Sequence, residues 1–542
     1  MRMLILNLTR FGDLLQSQAV VHGLRQQGHE VGLVCLHNFA QAASLLDGVS
    51  YVAPLPGSVL LASLETHWGT ALGQLHAWTE QIHVDFAPDA VLNLTSTIPA
   101  RLLARLLTLS IPGQPVPQGF SLDEHGFGLS GSAWTAFFEA STRKRGCSPF
   151  NLIDTFLRAS GLQGPARYAL KPPGDRERLA AGERLRSLSA SMGAYRGGTV
   201  SPPDGYIAFQ LGASDARRQW PARFFADIGS RVFAAHNVMP VLVGTENERP
   251  LARAYLETNA PGIDLTGSTG LMELAAVLEH MRLLVTNDTG TMHLAAGLGI
   301  DCLAVFLATA QPWDTGPYRE GCCSLEPNLA CHPCGFDATC SHGHRCVEHI
   351  TPQAVWPLVH GYLQTGTWQC PPETAALARV WQARRDAWGY MDLVSLSGHE
   401  RDDRTLWIRL QRHIYRHLLD TLDGRFSTLT PGAVTAEPDG SGLSAASREA
   451  ALTVLEQADA LLHLLAEQGR LTMMQPTGRH GQLFLATCQR VGALFDAHDA
   501  FNVLGKLWHT LSQEKGAHLP DLLVFAAQLR ASLAAWRALL HA

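Results

Sequence analysis

Three groups of residues in this sequence have the types and spacing to do chemistry. The stretch "VTNDTGTMHLAAGLG", Val285 to Gly299, passes from β-branched apolar residues through a polar turn into an Ala/Leu-rich segment, which predicts strand, tight loop and helix. In a parallel sheet such a loop lies in the crevice where ligands bind, and the N–H groups of the helix's first turn attract anions. Gly290 would let the backbone approach a phosphate closely, Thr289 and Thr291 add hydroxyl donors, and Asp288 would bond a sugar hydroxyl or cap the helix. A diphosphate suits this loop; a plain turn with a helix cap is the alternative. The second group is Arg217 and Arg218 in "GASDARRQWP", directly after the strand-like "YIAFQLG". Arginine offers a permanent charge and a two-pronged donor set that matches phosphate oxygens; an exposed pair on a solvated loop is the alternative. The third is "CHPCGFDATCSHGHRC", where Cys331, Cys334, Cys340 and Cys346 are spaced C-x2-C-x5-C-x5-C, with Cys322 and Cys323 just before. Four such thiols could close a tetrahedral site for zinc or iron, although the spacing is not a standard zinc-finger form. Free thiols or a local disulfide are the alternatives.

The elements that must position these groups are read from rhythm. Between Met1 and about Gly161, short apolar runs ("MLILNL", "EVGLVCL", "AVLNLT") alternate with helical patterns, the signature of βαβ units around a parallel sheet. "KPPGD" and "RGGTVSPPDG" flank a short charged helix and predict an interdomain connection. The rhythm resumes after Gly205 with "YIAFQLG", "VMPVLVG", "RLLVTND" and "CLAVFLA". From about Pro371 the strand signal disappears, and "TLWIRLQRHIYRHLLDTL" and "REAALTVLEQADALLHLLAEQ" carry apolar residues at helical spacing. The expected organisation is a Rossmann-like domain at 1–170, a linker at 171–204, a second Rossmann-like domain at 205–370 with a Cys-rich loop at 322–346, and an all-helical extension at 371–542. Within the extension "STLTPGAVTAEPDGSGLSAAS" is rich in turn formers.

A chain of 542 residues is too long for one core, and 46% hydrophobic with 17% charged residues reads as globular. The formal net charge of -6 argues against a general nucleic-acid binder. "MRMLILNLTRFGDLL" is too short in its apolar run for a signal sequence, and no stretch reaches the roughly 18 apolar residues of a membrane span. A cytoplasmic location is therefore expected, with peripheral contact at the inner membrane left open, and most of the 11 cysteines reduced.

"LNLTRFGDLLQSQAVVHGLR", "GASDARRQWP", "VTNDTGTMHLAAGLG" and "DTGPYRE", in that order between Met1 and Gly366, resemble the motifs of glycosyltransferase family 9, the ADP-heptose heptosyltransferases. The resemblance implies a GT-B fold: two facing Rossmann-like domains, the first binding mainly the acceptor and the second a nucleotide-sugar, ADP-heptose being favoured. It implies an inverting transfer with no cofactor for the chemistry, to a lipopolysaccharide core or protein acceptor. Such a transfer needs a base for the acceptor hydroxyl and positive partners for the leaving diphosphate. Asp13, in the family's "GD" motif after Gly12, is the implied base, with capping of a helix beginning near Leu14 as its alternative role. Arg10 would steady the acceptor or the donor phosphates. Arg218 stands where the family usually has lysine, and with Arg217 would hold the diphosphate; Glu246 or Glu248 would bond ribose hydroxyls; His293 matches a family histidine and would support the donor site.

Two departures stand out: Thr291 replaces the proline of "TGPMH", and Leu307, Ala308 and Thr309 replace a "GPT" turn. The second motivates a rival reading, a non-catalytic GT-B protein that binds nucleotide-sugars or serves assembly. Similar Cys-rich loops occur in many family members and carry iron in some protein heptosyltransferases, so the resemblance supports a structural metal. Residues after about Pro371 have no such match, and are expected to serve a macromolecular partner, an acceptor protein or a second copy of the chain.

Overall fold

The computed structural model describes residues 1–113, 115–143, 148–195, 202–336, 338–425, 440–475 and 479–541. Its first sheet is built from β1 (Arg2–Leu6), β2 (Glu30–Leu36), β3 (Val49–Leu55), β4 (Ala90–Asn93) and β5 (Gln118–Gly119) in the order β3-β2-β1-β4-β5, all parallel. Met3, Leu4, Ile5 and Leu6 are all buried, because helices cover both faces and every side chain of a central parallel strand meets apolar neighbours. A short hairpin of β6 (Ser121–Leu122) and β7 (Gly128–Leu129) follows.

The second sheet has β8 (Gly205–Gln210), β9 (Val238–Val243), β10 (Ile263–Asp264), β11 (Met281–Asn287), β12 (Cys302–Val305), β13 (Cys323–Pro327), β14 (Ala378–Arg385) and β15 (Met391–Ser395), in the order β10-β9-β8-β11-β12-β13-β14-β15. The six strands from β8 to β13 are parallel and repeat the doubly wound order, with its switch point between β8 and β11. The two domains meet at their carboxyl edges, in the expected GT-B arrangement.

Two boundaries differ from the sequence reading. The expected linker is mostly a 21-residue helix, Asp175–Tyr195, packed on the second domain: Arg184 donates to Ser268 Oγ at 3.0 Å, and the His280 ring meets the Arg178 carbonyl at 2.9 Å. Its remaining "RGGTVS" lies outside the described residues. The strand signal also continues past Pro371: β14 pairs antiparallel with β13 and β15 with β14, and Val380 and Trp381 are fully buried. "ARVWQARR" was obscured because its alternating Arg, Gln and apolar residues also fit a helix face. A cut near residue 371 would therefore pass through a sheet.

Helices Asp403–Leu422, Ala445–Met474, Arg479–Asp496, Asn502–Lys515 and Leu519–His541 make up the helical region. The last is long and apolar enough to cross a membrane, an exception to the sequence reading, yet here Phe525, Leu529, Leu533 and Trp536 face a protein core. That core includes Trp134, Phe137 and Phe150 of the first domain. Asp420 accepts from Trp134 Nε1 and Arg158 Nη2, each at 2.8 Å, while Arg404 donates to the buried Glu326 of the second domain at 2.5 Å. The helical region thus bridges both α/β domains. Most of its turn-rich segment, 426–439, lies outside the described residues.

Candidate functional site

The loop after β11 forms as its spacing predicts. Asn287 ends the strand, Thr289 occupies the cap position, and the helix Gly290–Gly297 begins at once, with Thr291 through Gly297 buried. Asp288 is therefore not the cap. Its carboxylate, 8% exposed, lies 3.5 Å from the Arg218 guanidinium, itself 12% exposed. Arg218 Nε also donates to Thr309 Oγ1 at 2.8 Å. The loops after β8, β11 and β12 thereby join in one charged cluster, Arg218–Asp288–Thr309.

Beneath it the polar groups are bonded to one another. The Asn287 side-chain amide donates to the Leu211 carbonyl at 2.9 Å, and its oxygen accepts the Trp220 N–H at 2.9 Å. Thr291 Oγ1 donates to Gln210 Oε1 at 2.9 Å, and Gln210 Nε2 donates to Glu248 at 3.0 Å. Glu248 also closes a capping box with Thr245, which leaves Glu246, largely exposed beside Arg249, as the acid at the outer end of the site. Gln210 and Asn287 were not among the residues expected from sequence, and Thr309 was noted there only as part of an altered turn. Their signal is position alone: each stands at or just beyond the carboxyl end of a strand in the same sheet.

Arg217 does not join Arg218. Asp215 takes both its Nε and its Nη2, the latter at 2.8 Å, and this bonding holds the Asp215 carboxyl below its usual pKa. The pairing reflects Asp215 capping the 3₁₀ turn Ala216–Arg218, which fixes the two residues close together.

Asp13 is the third residue of the helix Phe11–Gln16, whose cap position is Arg10, so it does not cap a helix beginning at Leu14. Arg10 is exposed. The Asp13 carbonyl accepts from Asn7 Nδ2 at 3.3 Å, and Asn7 Oδ1 accepts the Thr9 N–H at 3.2 Å, tying the turn to the end of β1. This helix rests directly on the start of the Gly290–Gly297 helix. A Cβ built on Gly12 would lie 3.0 Å from His293 Cδ2 and 3.3 Å from Gly290 Cα, and one on Gly290 would lie 2.4 Å from Phe11 Cδ1. The two glycines permit the approach, and the buried His293 fills the seam.

The turn at Leu307–Thr309 is intact despite its altered sequence. All three residues are buried, and Ala308 has φ of +53°, a conformation costly for a side chain other than glycine. Its carbonyl accepts the Cys334 N–H at 2.8 Å. The Cys-rich loop thus clamps the turn and sets Phe336 over Arg218, 5.6 Å from guanidinium carbon to ring centre.

The tetrahedral thiol set suggested by spacing is not assembled: among the described residues no three or more His, Cys, Asp and Glu side chains are placed to hold a metal ion. The thiols are engaged separately. Cys334 donates to the Cys331 carbonyl, and Cys340 accepts the His344 N–H at 3.3 Å, the backbone N–H groups of His342 and His344 holding its pKa below the usual value. All four, Cys331 included, are free.

Residues 177–344 match the family model described as glycosyltransferase family 9 (heptosyltransferase). That stretch of the chain is similar to the family 9 heptosyltransferases. It is 27% identical over 158 residues to lipooligosaccharide heptosyltransferase 2 of Campylobacter jejuni subsp. jejuni, covering 28% of this chain and 48% of that one. It is 30% identical over 148 residues to lipopolysaccharide heptosyltransferase 1 of Pseudomonas aeruginosa, covering 26% and 39%. The matches thus span about half or less of these curated relatives. The solved ADP-heptose LPS heptosyltransferase II of E. coli aligns with 68% of this chain and 99% of its own, at 16% identity and a TM-score of 0.49. The family 9 match runs from the helix Asp175–Tyr195 into the Cys-rich loop, taking in Arg218, Asp288 and Thr309 but not Asp13.

Proposed function

We propose that the chain is an inverting glycosyltransferase that moves a heptose from ADP-heptose to an acceptor hydroxyl. Asp13 removes the hydroxyl proton, the oxygen attacks the anomeric carbon, and the sugar–phosphate bond breaks. Arg218 and the first-turn amides at Thr289 to Thr291 receive the charge that develops on the leaving diphosphate, which is the largest electrostatic demand of the step. The carrying observation is the seating of Gly12 against Gly290 and His293, which joins the aspartate's helix to the phosphate turn across the domain seam.

The acceptor is proposed to be a lipid-linked saccharide of the lipopolysaccharide-core type, met at the inner membrane from the cytoplasmic side. Supporting this, the helix Gly57–Thr66 that follows β3 has no buried residue, and Leu61, Leu64 and Trp68 are 65%, 52% and 68% exposed. After β4, Ile98 and Leu102 are more than half exposed as well. Both groups flank the end of β1 that carries Asp13. Apolar surface of this kind marks a binding site for another apolar surface.

Incubation of the full chain with ADP-heptose and lipopolysaccharide-core acceptors, followed by mass spectrometry, tests the reading. Transfer should fall by about two to four orders of magnitude in an Asp13→Ala variant while ADP binding persists. Full activity in that variant removes the proposed base, and binding without transfer to any acceptor favours the non-catalytic reading.

A further inference from the structure

The order of strand ends along the second sheet gives the donor a direction. Carboxyl ends lie in the row β10, β9, β8, β11, β12, β13. Glu246 follows β9; Arg218 and the Thr289–Thr291 turn follow β8 and β11; Thr309 follows β12; the Cys-rich loop follows β13. A nucleotide-sugar with its ribose toward Glu246 and its diphosphate at Arg218 must extend its sugar toward β12 and β13. There Phe336 stands beside Arg218, 41% exposed, on a loop pinned by the Cys334 N–H bond to the Ala308 carbonyl.

We propose that the Cys-rich loop is the sugar-end wall of the donor site and that the Phe336 ring packs against the transferred sugar, making it a specificity-determining residue. This rests on the donor reading above and adds which segment tells one sugar from another. The apolar face of a pyranose carries C–H groups that an aromatic ring can cover, while the hydroxyl rim remains open to polar partners. A loop that leaves the sheet after β13 and is pinned at Ala308 through backbone bonding can also vary in its side chains while that contact is kept, as a specificity element requires.

Calorimetric titration of the full chain with ADP and, separately, with ADP-heptose tests the assignment. Phe336→Ala should weaken ADP-heptose about tenfold and leave ADP within about twofold of the parent value, and Phe336→Tyr should restore the sugar nucleotide. The residue is partly exposed, so an unchanged melting temperature is expected and serves as the folding control. An equal loss for both ligands means that the ring acts only by supporting Arg218, and no change for either means that it touches neither; each overturns the assignment while the donor reading stands. If the unsubstituted chain binds neither ligand, the donor reading fails and this inference fails with it.

Discussion

At the carboxyl edge of the second sheet polar side chains are buried and bonded to one another, whereas at the same edge of the first sheet large apolar side chains stand in water. Asn287 is fully buried with partners at both ends of the loop after β8, and Arg218 is fixed by Asp288 and Thr309. Opposite them, Leu61, Leu64 and Trp68 project from a helical segment that buries almost nothing. Under the proposed function, the difference indicates how each edge would meet its ligand. A charged leaving group is held by dipoles fixed in advance, because reorienting them during the reaction would cost the energy they are meant to supply. An amphiphile is met by surface that gains by losing water, and needs little prior order.

Within the ordered edge, removing the central cation should have the largest effect. Arg218→Ala is expected to lower transfer by about two to three orders of magnitude and to weaken ADP binding, with circular dichroism unchanged. Asp13→Ala should spare ADP binding, so paired titrations separate the leaving-group cation from the base. Equal ADP affinity in both variants would dissolve the distinction between the two edges.

The next effect is on stability. Asn287→Ala leaves the Trp220 N–H and the Leu211 carbonyl without their side-chain partner in a fully buried setting, and should cost about 2–4 kcal/mol in denaturant unfolding. A loss within about 0.5 kcal/mol would mean that water replaces the amide and that the edge is less ordered than its bonding implies.

The smallest structural effect belongs to the apolar edge. Leu61→Ser with Trp68→Ser should change unfolding by no more than about 0.5 kcal/mol, since both side chains are mostly exposed. Sedimentation with vesicles carrying lipopolysaccharide-core acceptor should nonetheless fall several-fold. Unchanged sedimentation would remove the apolar edge from the acceptor site.

Much of this was legible in the chain itself. The alternation of buried-strand runs with helical periods fixed two parallel sheets, because a strand covered on both faces has to be apolar throughout. The Asp288–Gly290 turn was legible because glycine and a helix start leave few backbone options. Less visible was β14: its mixture of arginines and apolar residues fits a helix face as readily as a strand, and only pairing with β13 and β15 decides between them. Apart from the resemblance, which puts Arg218 at the family's lysine, the sequence did not separate Arg217 from Arg218. Adjacent residues of one type carry the same local information, and the split between Asp215 and the Asp288–Thr309 pair depends on which way a 3₁₀ turn faces.

The sequence by itself determined the two α/β halves, the phosphate turn and the glycines at positions 12 and 290, since each follows from local preference and from what a buried strand or tight turn will accept. Only the tertiary structure decided that those glycines face each other, that the Cys-rich loop braces the Ala308 turn, and that the helical region ties the two halves together. These are contacts between residues far apart in the chain, and no local rule encodes which surfaces will meet once the sheets have folded.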